Sequence, residues 1–119
     1  MDDFEGALPR EIVNRATRSG DELVLALEDA RDAIRIADQN LIAVLGVEVF
    51  RFLYGGLGVE AFSGYEFKFD ASWQDFAVLN NKAALRFLDE NGFSQGDGYI
   101  LTTASEDELG QLQNASRKP

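Results

Sequence analysis

The sequence predicts a single α+β domain: a mainly antiparallel three-stranded sheet packed with two main helices. Three observations predict it. Residues 21–39 repeat apolar side chains at helical spacing, and residues 41–70 hold two aromatic and β-branched runs around Gly55-Gly56-Leu57-Gly58. A second helical pattern at 80–91 then leads into a compact apolar run at 98–104. Runs of the middle kind, parted by glycines, are the composition of a β-hairpin. The expected strands are therefore 42–54, 58–69 and 98–104.

In chain order, Met1 to Leu8 reads as a loose leader, and Pro9 suits the start of a short helix, where its missing N–H is no loss. Ile12, Val13 and Ala16 give that helix a thin apolar stripe to about Arg18, and Ser19-Gly20 ends it. Ser19-Gly20-Asp21-Glu22 has the spacing of a capping box and opens the helix at 21–39. Leu23, Leu27, Ala30, Ile34 and Ala37 recur at steps of four and three and form its buried face. Glu28–Arg31 and Asp32–Arg35 are i,i+3 pairs on its outer face. Asn40 suits the left-handed position that ends such a helix.

Ile42 to Tyr54 is apolar on both faces, as in a strand covered on both sides or one whose faces are exchanged by a bulge, for which Gly46 is the candidate. The return strand alternates Tyr65, Phe67 and Phe69 with Glu66, Lys68 and Asp70. Asp70-Ala71-Ser72 turns the chain, Trp73, Phe76 and Leu79 begin the packing of the last major helix, and Ala83, Ala84, Phe87 and Leu88 form its inward face. Ser105 and Glu108 match a second capping box, opening a short helix before a loose tail at 114–119.

The 119 residues suffice for one domain with its own core and are too few for two. Acidic residues outnumber basic ones 21 to 11. Residues 1–18 carry four acids and three arginines, and 111–119 carry only Arg117 and Lys118, so the remaining stretch holds a surplus of eleven negative charges. Such a surface repels phosphate backbones and anionic headgroups, which argues against nucleic-acid and membrane partners. It attracts a basic protein and speeds the encounter at low salt, although it also serves solubility alone. No apolar run approaches the roughly 20 residues of a membrane span, and the start Met1-Asp2-Asp3-Phe4-Glu5 lacks the basic opening of a signal peptide. A cytoplasmic protein is expected.

The chain has neither cysteine nor histidine. Disulfides, thiol chemistry, Ser-His-Asp triads and zinc-finger spacings are therefore excluded. The glycine-rich turn lacks the Lys and Ser/Thr of a phosphate loop. Paired carboxylates can still do acid–base chemistry, with Glu48, Glu60, Glu66, Asp70 and Asp75 near the strands. Their spacing does not demand a cleft, and solvated charges on strand faces explain them equally. No catalytic residue, metal site or cofactor is expected. Trp73, the single tryptophan, lies between Asp70 and Asp75. It reads either as a core anchor behind the hairpin or as an aromatic hot spot rimmed by carboxylates, where a basic protein docks. On the second reading Glu60, Phe62, Glu66, Asp70, Trp73 and Asp75 form the partner-binding set.

Ala30-Arg31-Asp32-Ala33-Ile34-Arg35-Ile36-Ala37, followed by Ile42-Ala43-Val44-Leu45-Gly46-Val47-Glu48-Val49-Phe50 and by Trp73 after a hairpin, resembles a small immunity-protein family of bacterial polymorphic-toxin systems. The resemblance covers residues 26–75. Val47 stands where that family has a second glycine, Glu48 where it has aspartate and Phe50 where it has tyrosine. It implies a non-enzymatic immunity protein that binds and neutralises a cognate toxin. A structural or adaptor domain without a toxin partner, and a small carboxylate-dependent hydrolase, are the alternatives.

Overall fold

A two-residue hairpin sits where the sequence suggests a helix start. In the computed structural model, which describes residues 3–51, 57–64, 72–90 and 97–110, strand β1 (Thr17–Ser19) pairs antiparallel with β2 (Glu22–Val24). Ser19 lies opposite Glu22, so Gly20-Asp21 is the whole loop. Gly20 has φ +60°, and glycine at the first position with positive φ is the pattern of a type II′ turn. The Ser19-to-Glu22 capping box is therefore not formed, and the helix expected from 21 begins at 27: α3 spans Leu27–Gln39. Leu23 mimics one more helical step before Leu27, but Leu23 and Leu25 alternate at strand period instead.

The expected loose leader is also corrected. Residues Asp3–Ala7 form helix α1, and Phe4 and Leu8 are buried with Ile12 against α3. The second short helix, α2 (Arg10–Arg15), stops before the hairpin and does not reach Arg18. Arg15 holds α2 to α3 by a forked contact with Asp29, Nε at 2.9 Å and a terminal nitrogen at 2.7 Å. The Asp29 carboxylate is buried, and its hydrogen bond raises the Arg15 pKa. The expected outer pairs Glu28–Arg31 and Asp32–Arg35 are present at 3.5 and 3.2 Å, and Arg31 also reaches Asp89 at 2.9 Å.

Helix α3 ends in a Schellman arrangement. The Ile42 N–H bonds to the Ala37 carbonyl at 2.8 Å and the Leu41 N–H to that of Asp38 at 3.2 Å. The left-handed position falls on Leu41 (φ +56°) and not on Asn40, whose side chain instead donates to the Ile36 carbonyl at 2.8 Å. A leucine there is costly, about 1–2 kcal/mol. It is held by the Trp73 indole, whose Nε1–H donates to the Leu41 carbonyl at 2.6 Å.

Strand β3 (Ala43–Arg51) pairs antiparallel with β4 (Leu57–Ser63) on one side and β5 (Asp97–Ala104) on the other, in the order β4-β3-β5. The mixed α+β class stands. Residues 52–56 and 65–71 lie outside the description, and with them the outer parts of both expected hairpin strands. Strand β4 begins at Leu57, one residue before the expected start at 58. Opposite β5 the register shifts between Val44 and Gly46, leaving Leu45 as the extra residue. This bulge accounts for the doubly apolar run. Ile42, Val44, Val47 and Val49 all join the core formed with α3, while Ala43 joins a second core with Trp73, Phe76 and Ala77.

Helix α4 spans Trp73–Glu90, seven residues longer at its start than the expected 80–91 helix. Ser72 caps it, its hydroxyl accepting from the Asp75 N–H at 3.0 Å. Its first turns supply Trp73, Phe76 and Ala77 to the second core, and its later turns supply Ala84 and Leu88 to the first. Residues 106–110 form a helical turn opened by the expected capping box, with Ser105 N–H to Glu108 Oε1 at 2.8 Å and Glu108 N–H to Ser105 Oγ at 3.2 Å.

Candidate functional site

The six residues expected to bind a partner are not drawn into one described patch. Glu60 and Phe62 fall on β4, opposite Val49 and Val47, and their side chains are outside the description. Glu66 and Asp70 are outside it altogether. Asp75 is exposed in the first turn of α4, where a negative charge complements the helix dipole. Trp73 points the other way. It is 7% exposed, packs on Phe76 with ring centroids 5.3 Å apart, and ties the α3–β3 corner through Leu41. Its ring is therefore part of the core of this chain, as the core-anchor reading has it.

Sequence reasoning missed Asn80 and Asn81. It placed them at the start of a helix, where asparagine caps well. Instead they lie in the middle of α4 and are fully buried. Asn81 accepts the Val44 N–H at Oδ1 (2.8 Å) and donates from Nδ2 to the Ile42 carbonyl and to Asp38 Oδ1 (3.0 Å each). The Val44 N–H in β3 and the Ile42 carbonyl just before it face the β4 side, but β4 pairing starts only at Gly46. The side-chain amide thus replaces the missing strand and joins α3, β3 and α4. Asn80 donates to the Phe76 carbonyl at 3.0 Å, and Gly64 leaves room for it: a Cβ on Gly64 would collide with Asn80 Oδ1.

Two clefts open on the described surface. One, of about 400 Å³, is a broad depression between α2 and α3 with Glu11, Arg15, Asp32 and Arg35 of mixed sign on its walls. The other, of about 190 Å³, is a wedge between β2 and β5 beside α1. Leu23, Leu25 and Leu101 form much of its wall, and Glu5, Asp21 and Glu22 supply its charge. Asp21 and Glu22 are exposed, while Glu5 contacts Arg18 at 3.2 Å. The wedge closes at Leu25 and Tyr99, whose backbones exchange two hydrogen bonds of 2.8 Å. The leucine alternation and the Gly-Asp dipeptide between Thr17-Arg18-Ser19 and Glu22-Leu23-Val24 were the sequence signals for this hairpin.

Among the described residues no group of three or more carboxylates is placed to hold a metal ion, and no helix is long and apolar enough to cross a membrane. Comparison with family models, curated proteins and solved structures gives no match.

Proposed function

We propose that this protein is a non-enzymatic acidic binding protein, an immunity protein that neutralises a cognate bacterial toxin by covering it. The observation that carries the reading is the arrangement of charge. Arg15, Arg18, Arg31 and Arg35 are already engaged by carboxylates within the chain. Asp21, Glu22, Glu48, Asp75, Glu90, Glu106 and Asp107 are exposed and have no ion-pair partner among the described residues. Exposed Arg10, Lys82 and Arg86 are likewise unpaired among the described residues but are outnumbered, so the described surface presents a surplus of carboxylates to cations of another molecule. The complete lack of histidine and cysteine, and the resemblance over residues 26–75, support the same reading.

In this mechanism the carboxylates of Glu60, Glu66, Asp70 and Asp75 oppose basic groups at the toxin's active site. Phe62 adds apolar contact, and Trp73 supports the surface from beneath. The site is taken to be cytoplasmic, where such a toxin acts. Co-expression with the toxin encoded beside the gene tests the reading. Protection of the cell and co-purification as a salt-sensitive complex are expected; neither protection nor a complex would refute it. A complex with a neighbouring protein that is not toxic would instead support an adaptor domain.

A further inference from the structure

The wedge between β2 and β5 is the unzipped continuation of a strand pairing. Leu25 and Tyr99 are bonded to each other in both directions and antiparallel. Continuing that register sets Leu23 opposite Leu101 and Asp21 opposite Thr103. Backbone groups alternate sides along a strand, so the residues two and four from Tyr99, Leu101 and Thr103, aim their N–H and C=O groups away from β3, as Tyr99 does. The opposite wall behaves likewise. Ser19 and Glu22 close the hairpin as its bonded pair, which turns the backbone groups of Leu23 away from β1 and toward the wedge. Among the described residues none of these edge groups has a backbone partner across the wedge.

An unpaired edge recessed in a cleft differs from one left open to solvent. Natural edges are blunted by lysines, proline or bulges. This one carries none of these at residues 99–103, and the side chains around it are Glu5, Asp21 and Glu22. Leu23 and Leu101 are half-buried and supply apolar contact for an alternating strand. We infer that the wedge receives an extended, lysine- or arginine-bearing segment of a protein partner, which adds as a strand to the edge of β5 at Leu101 and Thr103. Main-chain bonds then hold the segment, and the exposed carboxylates of Asp21 and Glu22 select its charge. The inference names a binding mode for the acidic protein proposed above and rests on that reading for its biological partner.

The test uses the full chain and a short acetylated, amidated peptide of alternating lysine and valine. Anisotropy of the labelled peptide should report saturable binding below about 1 mM, with the amide resonances of Leu101 and Thr103 shifting on titration. N-methylating alternate peptide amides, which removes ladder donors and leaves the charge unchanged, should weaken binding at least roughly tenfold. The exposed-site variant Glu22→Lys should weaken it as well. Thr103→Pro removes the outward N–H but no bond to β3, and should act like N-methylation if it folds. No binding at about 1 mM, or binding indifferent to N-methylation, overturns the inference. Strongly protected Leu101 and Thr103 amides in the free protein would also overturn it, because the wedge would then be closing on itself. If a toxin complex survives Glu22→Lys unchanged and peptide binding fails, the wedge is wrong and the immunity reading stands. If the peptide binds through its amides but no toxin complex exists, the reverse holds.

Discussion

Replacing Asn81 by alanine should destabilise the fold far more than an asparagine in a helix ordinarily would. The substitution favours helix propensity by several tenths of a kcal/mol. Against that, it strips partners from the Val44 N–H and the Ile42 carbonyl, at residues 0% and 3% exposed. A buried backbone group left unsatisfied costs about 1–3 kcal/mol, so two of them, less the propensity gain, give a loss of about 3 kcal/mol. With a urea m-value of about 2 kcal/mol/M, the midpoint falls by about 1.5 M. Urea titration followed by both far-UV circular dichroism and Trp73 fluorescence measures this, and coincident curves validate the two-state treatment. Lys82→Ala, one residue on and exposed, is the control and should shift by less than about 0.5 kcal/mol. Asn81→Asp keeps the acceptor for Val44 but sets a second carboxylate against Asp38. It should therefore be least stable above the carboxylate titration range and recover part of the loss as pH falls into it. A loss below about 1 kcal/mol for Asn81→Ala would refute the view that its amide completes the sheet.

Two further substitutions probe the same corner. Trp73→Phe removes the indole bond to Leu41 and some core volume, and should cost about 2 kcal/mol, read from thermal melts; an unchanged melt would contradict the anchoring role. Gly64→Ala should cost about 1–3 kcal/mol in urea titrations because its methyl group displaces the Asn80 side chain, and a neutral result would show that Asn80 can move away freely.

Much of the architecture was legible where one local rule acted alone. The helical repeat from Leu27 to Ala37, the Ser105–Glu108 box and the bulge near Gly46 each follow from a pattern within a few residues. Errors arose where two local rules competed. Ser19 to Glu22 satisfies both a capping box and a two-residue hairpin, and the tertiary pairing of Leu25 with Tyr99 decides for the hairpin. Asn80 and Asn81 look like caps because asparagine competes with helix backbone, unless a distant strand offers the amide better partners. Asn40 lost the left-handed position to Leu41 because the Trp73 indole, remote in sequence, binds the Leu41 carbonyl. Of the candidate site, the charge was readable and its grouping was not. The wedge is assembled from α1, β2 and β5, and no local pattern joins those segments.

The order of strands has a consequence for synthesis. Strand β3 lies in the middle of its sheet, yet β5, one of its two neighbours, is the last of the described strands. Leu25, too, waits for Tyr99. A chain emerging from the ribosome therefore carries the β5-facing flank of β3 unpaired until synthesis has passed residue 104. Final closure is a late, long-range event with a large loop entropy to overcome. For a nascent chain of this design, translation speed and temporary shielding of that flank decide how much reaches the native state.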